Sequence, residues 1–229
     1  MKVVALIPAY NEEETIASTL VALQKIALLN QIVVINDGST DETAEVVKRH
    51  KGVTLLNSNK NSGKGAALNY GLQNFQADIF VLLDADLGHT AIHGERLIYP
   101  VLKGNAHMTI AKFQKKQSSS QEKMGFGLVR RLATLGVKVL TKKTITSPLS
   151  GQRAINAEVL QRLGPFFAGF SVEIGLTVGA LHHGYDVLEI PLPMKHRAYG
   201  RGIKGIKHRG NQLIHVFRGL HHCWQKGWR

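Results

Sequence analysis

Short apolar runs and longer amphipathic stretches alternate through the first hundred residues. The runs at 3–7, 32–35, 53–56 and 79–83 are β-branched or aliphatic, and each closes on polar or glycine-bearing positions, the pattern of buried strands. The segments between them, roughly 13–29, 41–50 and 63–75, read as helices, with Ser39, Thr40, Asp41 and Glu42 supplying a capped, acidic start to the second. Apolar strands joined by helices predict an α/β fold with a mostly parallel sheet covered on both faces. In such sheets ligands sit beyond the carboxyl ends of the strands. The polar clusters fall there: Asn11 and Glu12 after the first run, Asp37 after the second, residues 57–64 after the third, Asp84 and Asp86 at the end of the fourth. Four clusters on one rim predict a site.

The second half is less regular. Residues 112–123 are basic and serine-rich and read as a loop, and 126–140 have helical spacing with Arg130 and Arg131 outward. Residues 150–153 form a turn, 172–183 a helix, and 186–190 a strand ended by Pro191. A glycine-rich basic loop over 198–207 leads to a terminal amphipathic helix from about 212. There is no internal repeat, and 229 residues suit a single domain, with 1–110 as one half and 111–229 as the other.

Charge changes this picture. The net charge is +13, but residues 1–100 hold 8 Lys/Arg and 11 Asp/Glu, whereas 101–229 hold 21 and 5. From 190 to 229 there is no acidic residue. The second half is thus expected to meet something anionic, such as a phosphorylated acceptor, an anionic membrane face or nucleic acid. Cys223 is the single cysteine, so disulfide stapling is excluded. No apolar run approaches the ~20 residues of a membrane span, and the first residues lack the pattern of a signal peptide. A cytoplasmic protein is expected, with peripheral contact at the inner membrane face through Arg218, Trp224, Lys226, Trp228 and Arg229; packing of both tryptophans is the other reading. A homodimer is compatible with all of this.

The candidate chemistry begins with Asp84-Ala85-Asp86. Carboxylates one residue apart at a strand end share a side under period-two geometry, and a divalent cation would relieve their repulsion. Hard oxygen ligands suit Mg²⁺ or Mn²⁺, which bind through one or two carboxylates plus substrate phosphates. Asp37 could accept hydrogen bonds from a base or ribose, or could close an Asx-turn. The start of the third helix, Asn61-Ser62-Gly63-Lys64-Gly65, offers backbone N–H groups and an ammonium to an anion, or is a glycine-rich helix start with a surface lysine. It lacks the phosphate-loop spacing of ATPases.

The ordered set PAYNEE (8–13), NDGSTDET (36–43), NSGKGAALNYG (61–71) and DADL (84–87) resembles family 2 glycosyltransferases of the GT-A, Rossmann-like fold. The resemblance implies a nucleotide-diphosphate sugar donor, UDP-sugar favoured over GDP-sugar, with Mg²⁺ or Mn²⁺ as cofactor. It places Pro8, Ala9, Tyr10 and Glu12 around the nucleoside, Asp37 at the base, Lys64 near base or ribose-phosphate, Asp84 and Ala85 near ribose and metal, and Asp86 on the metal. SGQR (150–153), GFSVEIGL (169–176) and PLPMKHRAYG (191–200) are similar to the branch of polyprenyl-phosphate sugar synthases and glucosyl-3-phosphoglycerate synthase. By that likeness His196 is a third metal ligand, and Gln152, Arg153, Arg197 and Arg201 meet the acceptor or its phosphates. A neutral hydroxyl acceptor would need a base, for which Glu173 is the candidate; its other reading is a helix acid paired with an arginine. An ionised phosphate acceptor needs none, and the basic second half favours an anionic or lipid-phosphate acceptor.

Two other classes compete. A nucleotidyltransferase would carry a basic glycine-rich loop after the first strand, where PAYNEEE stands. A basic nucleic-acid-binding module would leave the aspartate pair unexplained, and no helix-turn-helix or aromatic-basic RNA motif occurs, so no nucleic-acid partner is expected.

Overall fold

The computed structural model describes residues 1–114, 126–166, 172–195 and 203–228. Four runs form strands: β1 (Val3–Ala9), β2 (Gln31–Asp37), β3 (Val53–Ser58) and β4 (Ile79–Leu82), all mutually parallel where they pair. Helices α1 (Ile16–Leu23), α2 (Thr43–Lys48) and α3 (Lys64–Asn74) connect them. Three further strands, β5 (Met108–Phe113), β6 (Arg153–Asn156) and β7 (Val187–Leu192), complete a seven-stranded sheet of order β3-β2-β1-β4-β6-β5-β7. Only β6 runs antiparallel to its neighbours. The sheet is mostly parallel, as the sequence pattern predicts.

Alternate residues of β1 separate the two cores. Val4 and Leu6 join Val33, Ile35 and Leu82 on one face, with Leu68 of α3. Val3, Ala5 and Ile7 join Val34 and Val81 on the other, with Ile16, Leu20 and Leu23 of α1 and with Leu97 and Ile98 of α4 (Glu95–Leu102). A short 3-10 helix, Gly88–Gly94, precedes α4. The first face also carries α5 (Phe126–Thr141), α6 (Ala157–Leu163), α7 (Val172–His182) and α8 (Ile203–Gln225).

Two prolines lie inside strands that the sequence pattern ends at them. Pro8 sits where β4 has stopped pairing with β1, the last partners being Leu6 and Leu82, so its missing N–H leaves no ladder bond unmade on that side. Pro191 is tolerated because β7 is the edge strand. The terminal helix starts at Ile203, inside the stretch expected to be a loop, and α1 starts three residues later than expected. Among the described residues no helix is long and apolar enough to cross a membrane.

Candidate active site

β1 is the switch point of the sheet: the chain leaves it toward β2 and β3 on one side and toward β4 on the other. In doubly wound sheets ligands bind at the carboxyl ends beside such a point. The segments following β1, β2 and β4 and the start of α3 stand there as the walls of the candidate site.

The first two walls are latched together by polar bonds. Asn11, in the left-handed region at φ 54°, accepts from the Thr40 amide at 2.8 Å, and its own amide donates to Ser39 Oγ at 3.0 Å. Asparagine is among the few side chains that adopt this backbone readily. The Glu12 amide donates to Thr43 Oγ1 at 2.8 Å, and the Glu13 carboxylate accepts from the Glu42 amide at 2.8 Å. These bonds hold residues 11–15 in a turn, which is why α1 begins late. Asp41 sits in the same latch. Burial pushes its carboxyl up, but bonds from Thr43 and the Glu13 amide outweigh this and hold it below the usual range.

Asp37 is 4% exposed, and both its oxygens are engaged, one by the Ser62 amide at 2.9 Å and the other by the Gly63 amide at 2.7 Å. It anchors the start of α3 across 25 residues of chain and closes no local Asx-turn. Gly38 follows at φ 69°, and a Cβ there would lie 2.5 Å from the Lys60 carbonyl carbon, so the approach of these two loops requires glycine.

At the far wall stands an ion cluster. Lys64 Nζ donates to Asp84 Oδ1 at 2.7 Å and to Glu173 Oε1 at 2.8 Å, its side chain 21% exposed. Burial lowers the affinity of this amine for its proton, but the two carboxylates prevail and its pKa is raised above the usual lysine value. Lys64 is therefore a fixed cation bridging one acid from the β4 end and one from the first turn of α7. The arginine pairing considered for Glu173 is replaced by this lysine, 109 residues away in sequence. The other Asp84 oxygen accepts from Gln152 Nε2.

Gln152 and Gly151 reach this point because Arg153 is registered against Leu82 in the antiparallel β4–β6 pair. A Cβ on Gly151 would stand 2.4 Å from Lys64 Nζ and 3.1 Å from both Asp84 oxygens, so only glycine leaves room for the cluster. Arg153, expected to meet acceptor phosphates, is instead 0% exposed. Its guanidinium donates to the carbonyls of Ser150 and Pro148 and to Thr177 Oγ1, each at 2.9 Å. Burial pushes its pKa down to about 10, against the pull of Glu173 and Glu189. These bonds tie the 148–152 turn to α7. Glu189 of β7 assists, accepting from the amides of Thr146 and Ser147.

The remaining predicted residues fall as follows. β4 ends at Leu82, two residues before Asp84, yet the alternation continues, with Asp84 and Asp86 half-buried and Ala85 buried, its carbonyl accepting from Thr19 Oγ1 at 2.7 Å. Pro8 and Ala9 end β1, Tyr10 is 45% exposed at its tip, and the Glu12 carboxylate accepts from Thr15 Oγ1 at 2.7 Å. His196, Arg197 and Arg201 lie outside the described residues. The sequence reading missed Gly151 as a packing requirement and Asn11, Thr43 and Glu189 as scaffold; the unusual Ser-Gly-Gln-Arg turn was the available signal for the first.

Among the described residues no three His, Cys, Asp or Glu side chains converge into a metal cage. The half-buried carboxylates of Asp84 and Asp86 offer hard oxygen beyond the end of β4, which fits Mg²⁺ or Mn²⁺, cations that take much of their coordination from substrate and water.

A doubly wound sheet with an Asp-x-Asp pair just beyond β4, next to the loops that follow β1 and β2, is the arrangement of a GT-A glycosyltransferase. The comparisons name the group: the family described as glycosyl transferase family 2 matches residues 4–164, and the chain belongs to it. An uncharacterised protein of Methanocaldococcus jannaschii is 28% identical over 228 residues, 96% of this chain and 89% of that one. Glucosyl-3-phosphoglycerate synthase of Petrotoga mobilis is 30% identical over 194 residues, 76% of this chain, and the match spans 59% of that enzyme's length. The crystal structure of glucosyl-3-phosphoglycerate synthase from Mycobacterium tuberculosis with Mn²⁺, uridine diphosphate and phosphoglyceric acid superposes with a TM-score of 0.78 at 25% identity, covering 96% of this chain and 78% of that one.

Proposed function

We propose that this glycosyltransferase moves a hexosyl group from a nucleotide-diphosphate sugar, a UDP-sugar in preference to a GDP-sugar, to an anionic or lipid-phosphate acceptor. The carrying observation is the cluster in which Lys64 joins Asp84 of the donor wall to Glu173 of the acceptor wall. In this reading the donor and acceptor sides lie within one side chain's reach. The synthase crystallised with Mn²⁺, uridine diphosphate and phosphoglyceric acid supports the same donor and acceptor chemistry here.

In this reading residues 8–12 and Asp37 receive the nucleoside, with the exposed Tyr10 ring available to cover the base. Asp86 and the donor's phosphates would hold Mg²⁺ or Mn²⁺, with His196 as a further ligand, and that cation supplies charge neutralisation of the departing diphosphate. Lys64 holds the Asp84 and Glu173 carboxylates side by side and orients both. Gln152 fixes the second Asp84 oxygen. Arg197 and Arg201 supply charge to an acceptor phosphate or carboxylate. Where the accepting atom is a hydroxyl, Glu173 takes its proton; where it is an ionised phosphate oxygen, no base is needed.

The test is nucleotide release from a panel of UDP- and GDP-sugars, with phosphorylated and neutral acceptors, with Mn²⁺ or with chelator. Release should require the cation and an anionic acceptor. Glu173→Gln should cut transfer to hydroxyls by about 100-fold or more and spare transfer to phosphate. Release from no donor, or equal release with chelator, would refute the reading.

A further inference from the structure

The α5 and α8 helices pack on α7, whose first turn carries Glu173, and they turn a common face outward. Of the twelve large apolar side chains exposed among the described residues, six are on these two helices: Leu128, Leu135 and Val139 on α5, Ile214, Phe217 and Trp224 on α8. That is a concentration rather than the scatter expected of a surface that meets only water. On each helix the spacing is that of one stripe: 128, 135 and 139 on the first, 214, 217 and 224 on the second. The helices touch where Gly136 meets Leu220, since a Cβ on Gly136 would lie 2.3 Å from a Leu220 methyl. Phe217 and Trp224 lie within about a quarter turn of Leu220, and Leu128 and Val139 within about a quarter turn of Gly136, so the stripes border one seam.

Within these two helices the charged side chains have one sign. Arg131 and Lys138 on α5 and Arg218 on α8 are exposed beside the stripes, and the sequence holds no Asp or Glu from 126 to 143 or from 190 to 229. A second copy of the chain would set cation against cation. Nucleic acid would use the cations and leave the leucines, phenylalanine and tryptophan in water. A bilayer with anionic headgroups satisfies both: apolar side chains enter the acyl boundary while Lys and Arg stay at the phosphates.

We propose that the α5–α8 face docks this enzyme on an anionic lipid surface. The docking is separate from transfer chemistry, because these side chains belong neither to the Lys64 cluster nor to the segments that follow β1, β2 and β4. The test is co-sedimentation of the full chain with vesicles of phosphatidylcholine alone or mixed with phosphatidylglycerol, beside gel filtration and binding to single-stranded RNA. The chain should bind only the mixed vesicles, more weakly as salt rises. Leu135→Glu with Phe217→Glu should weaken binding by roughly tenfold or more with nucleotide-sugar turnover unchanged. Leu135→Ser with Phe217→Ser should give a smaller loss in the same direction, and both side chains are more than half exposed, so the melting temperature should hold. No binding to mixed vesicles at low salt, or binding indifferent to both pairs of substitutions, would overturn the proposal. So would a dimer, or an RNA complex, that the same substitutions disrupt in a chain that ignores vesicles.

Discussion

Lys64 shows how much of this site depends on one atom's position. Its ammonium bridges Asp84 and Glu173, and the backbone of Gly151 closes over it. Gly151→Ala would press a methyl onto the mobile end of Lys64, which can swing aside, so folding should survive while the cluster opens. A displacement of about 1 Å in a catalytic constellation costs on the order of 100-fold. We therefore expect kcat/KM to fall by roughly that factor with an unchanged melting temperature, measured by steady-state nucleotide release and thermal denaturation. At this scale the sequence revealed residue types and concealed partners. Asp84, Asp86 and Lys64 stand out because they follow strands or open a helix. That Lys64 meets Glu173 depends on α7 crossing the sheet, which no local pattern encodes. Arg153 misled for the same reason: an arginine beside a turn resembles a phosphate ligand until the burial of its guanidinium is known.

At the scale of elements, β1, β2 and β4 announce themselves because each holds an uninterrupted apolar run, as burial on both faces demands, and the half-buried edge strand β3 is legible from its 53–56 stretch. β5, β6 and the helices α4 and α6 were not legible. β6 is four residues long and antiparallel, and α4 holds Pro100 in its second half, so periodicity over either is weak. β6 nevertheless decides the site, because its register against β4 delivers Gly151 and Gln152 to Asp84. Arg153 secures that delivery by binding two carbonyls of the preceding turn and Thr177 of α7. Arg153→Met should leave those acceptors buried without partners and cost about 3 kcal/mol of stability. Chemical denaturation would check this; a loss below about 1 kcal/mol would show that water or rearrangement replaces the guanidinium.

Across the whole molecule the charge divides with the chemistry. The first half is slightly acidic and holds Asp84 and Asp86, and the second half carries the excess of Lys and Arg together with Glu173. The fold brings the two halves together at Lys64, beside the carboxyl ends of β1 and β4. Everything proposed for the reaction requires that nucleoside diphosphate and divalent cation bind there together, each incomplete without the other. Calorimetric titration of UDP, with Mn²⁺ and then with chelator, on the intact chain and on Asp86→Ala, measures this directly. The account predicts affinity at least about tenfold tighter with Mn²⁺, and loss of that gain in the substituted chain. Equal affinity with and without the cation, or a gain that survives Asp86→Ala, would contradict it.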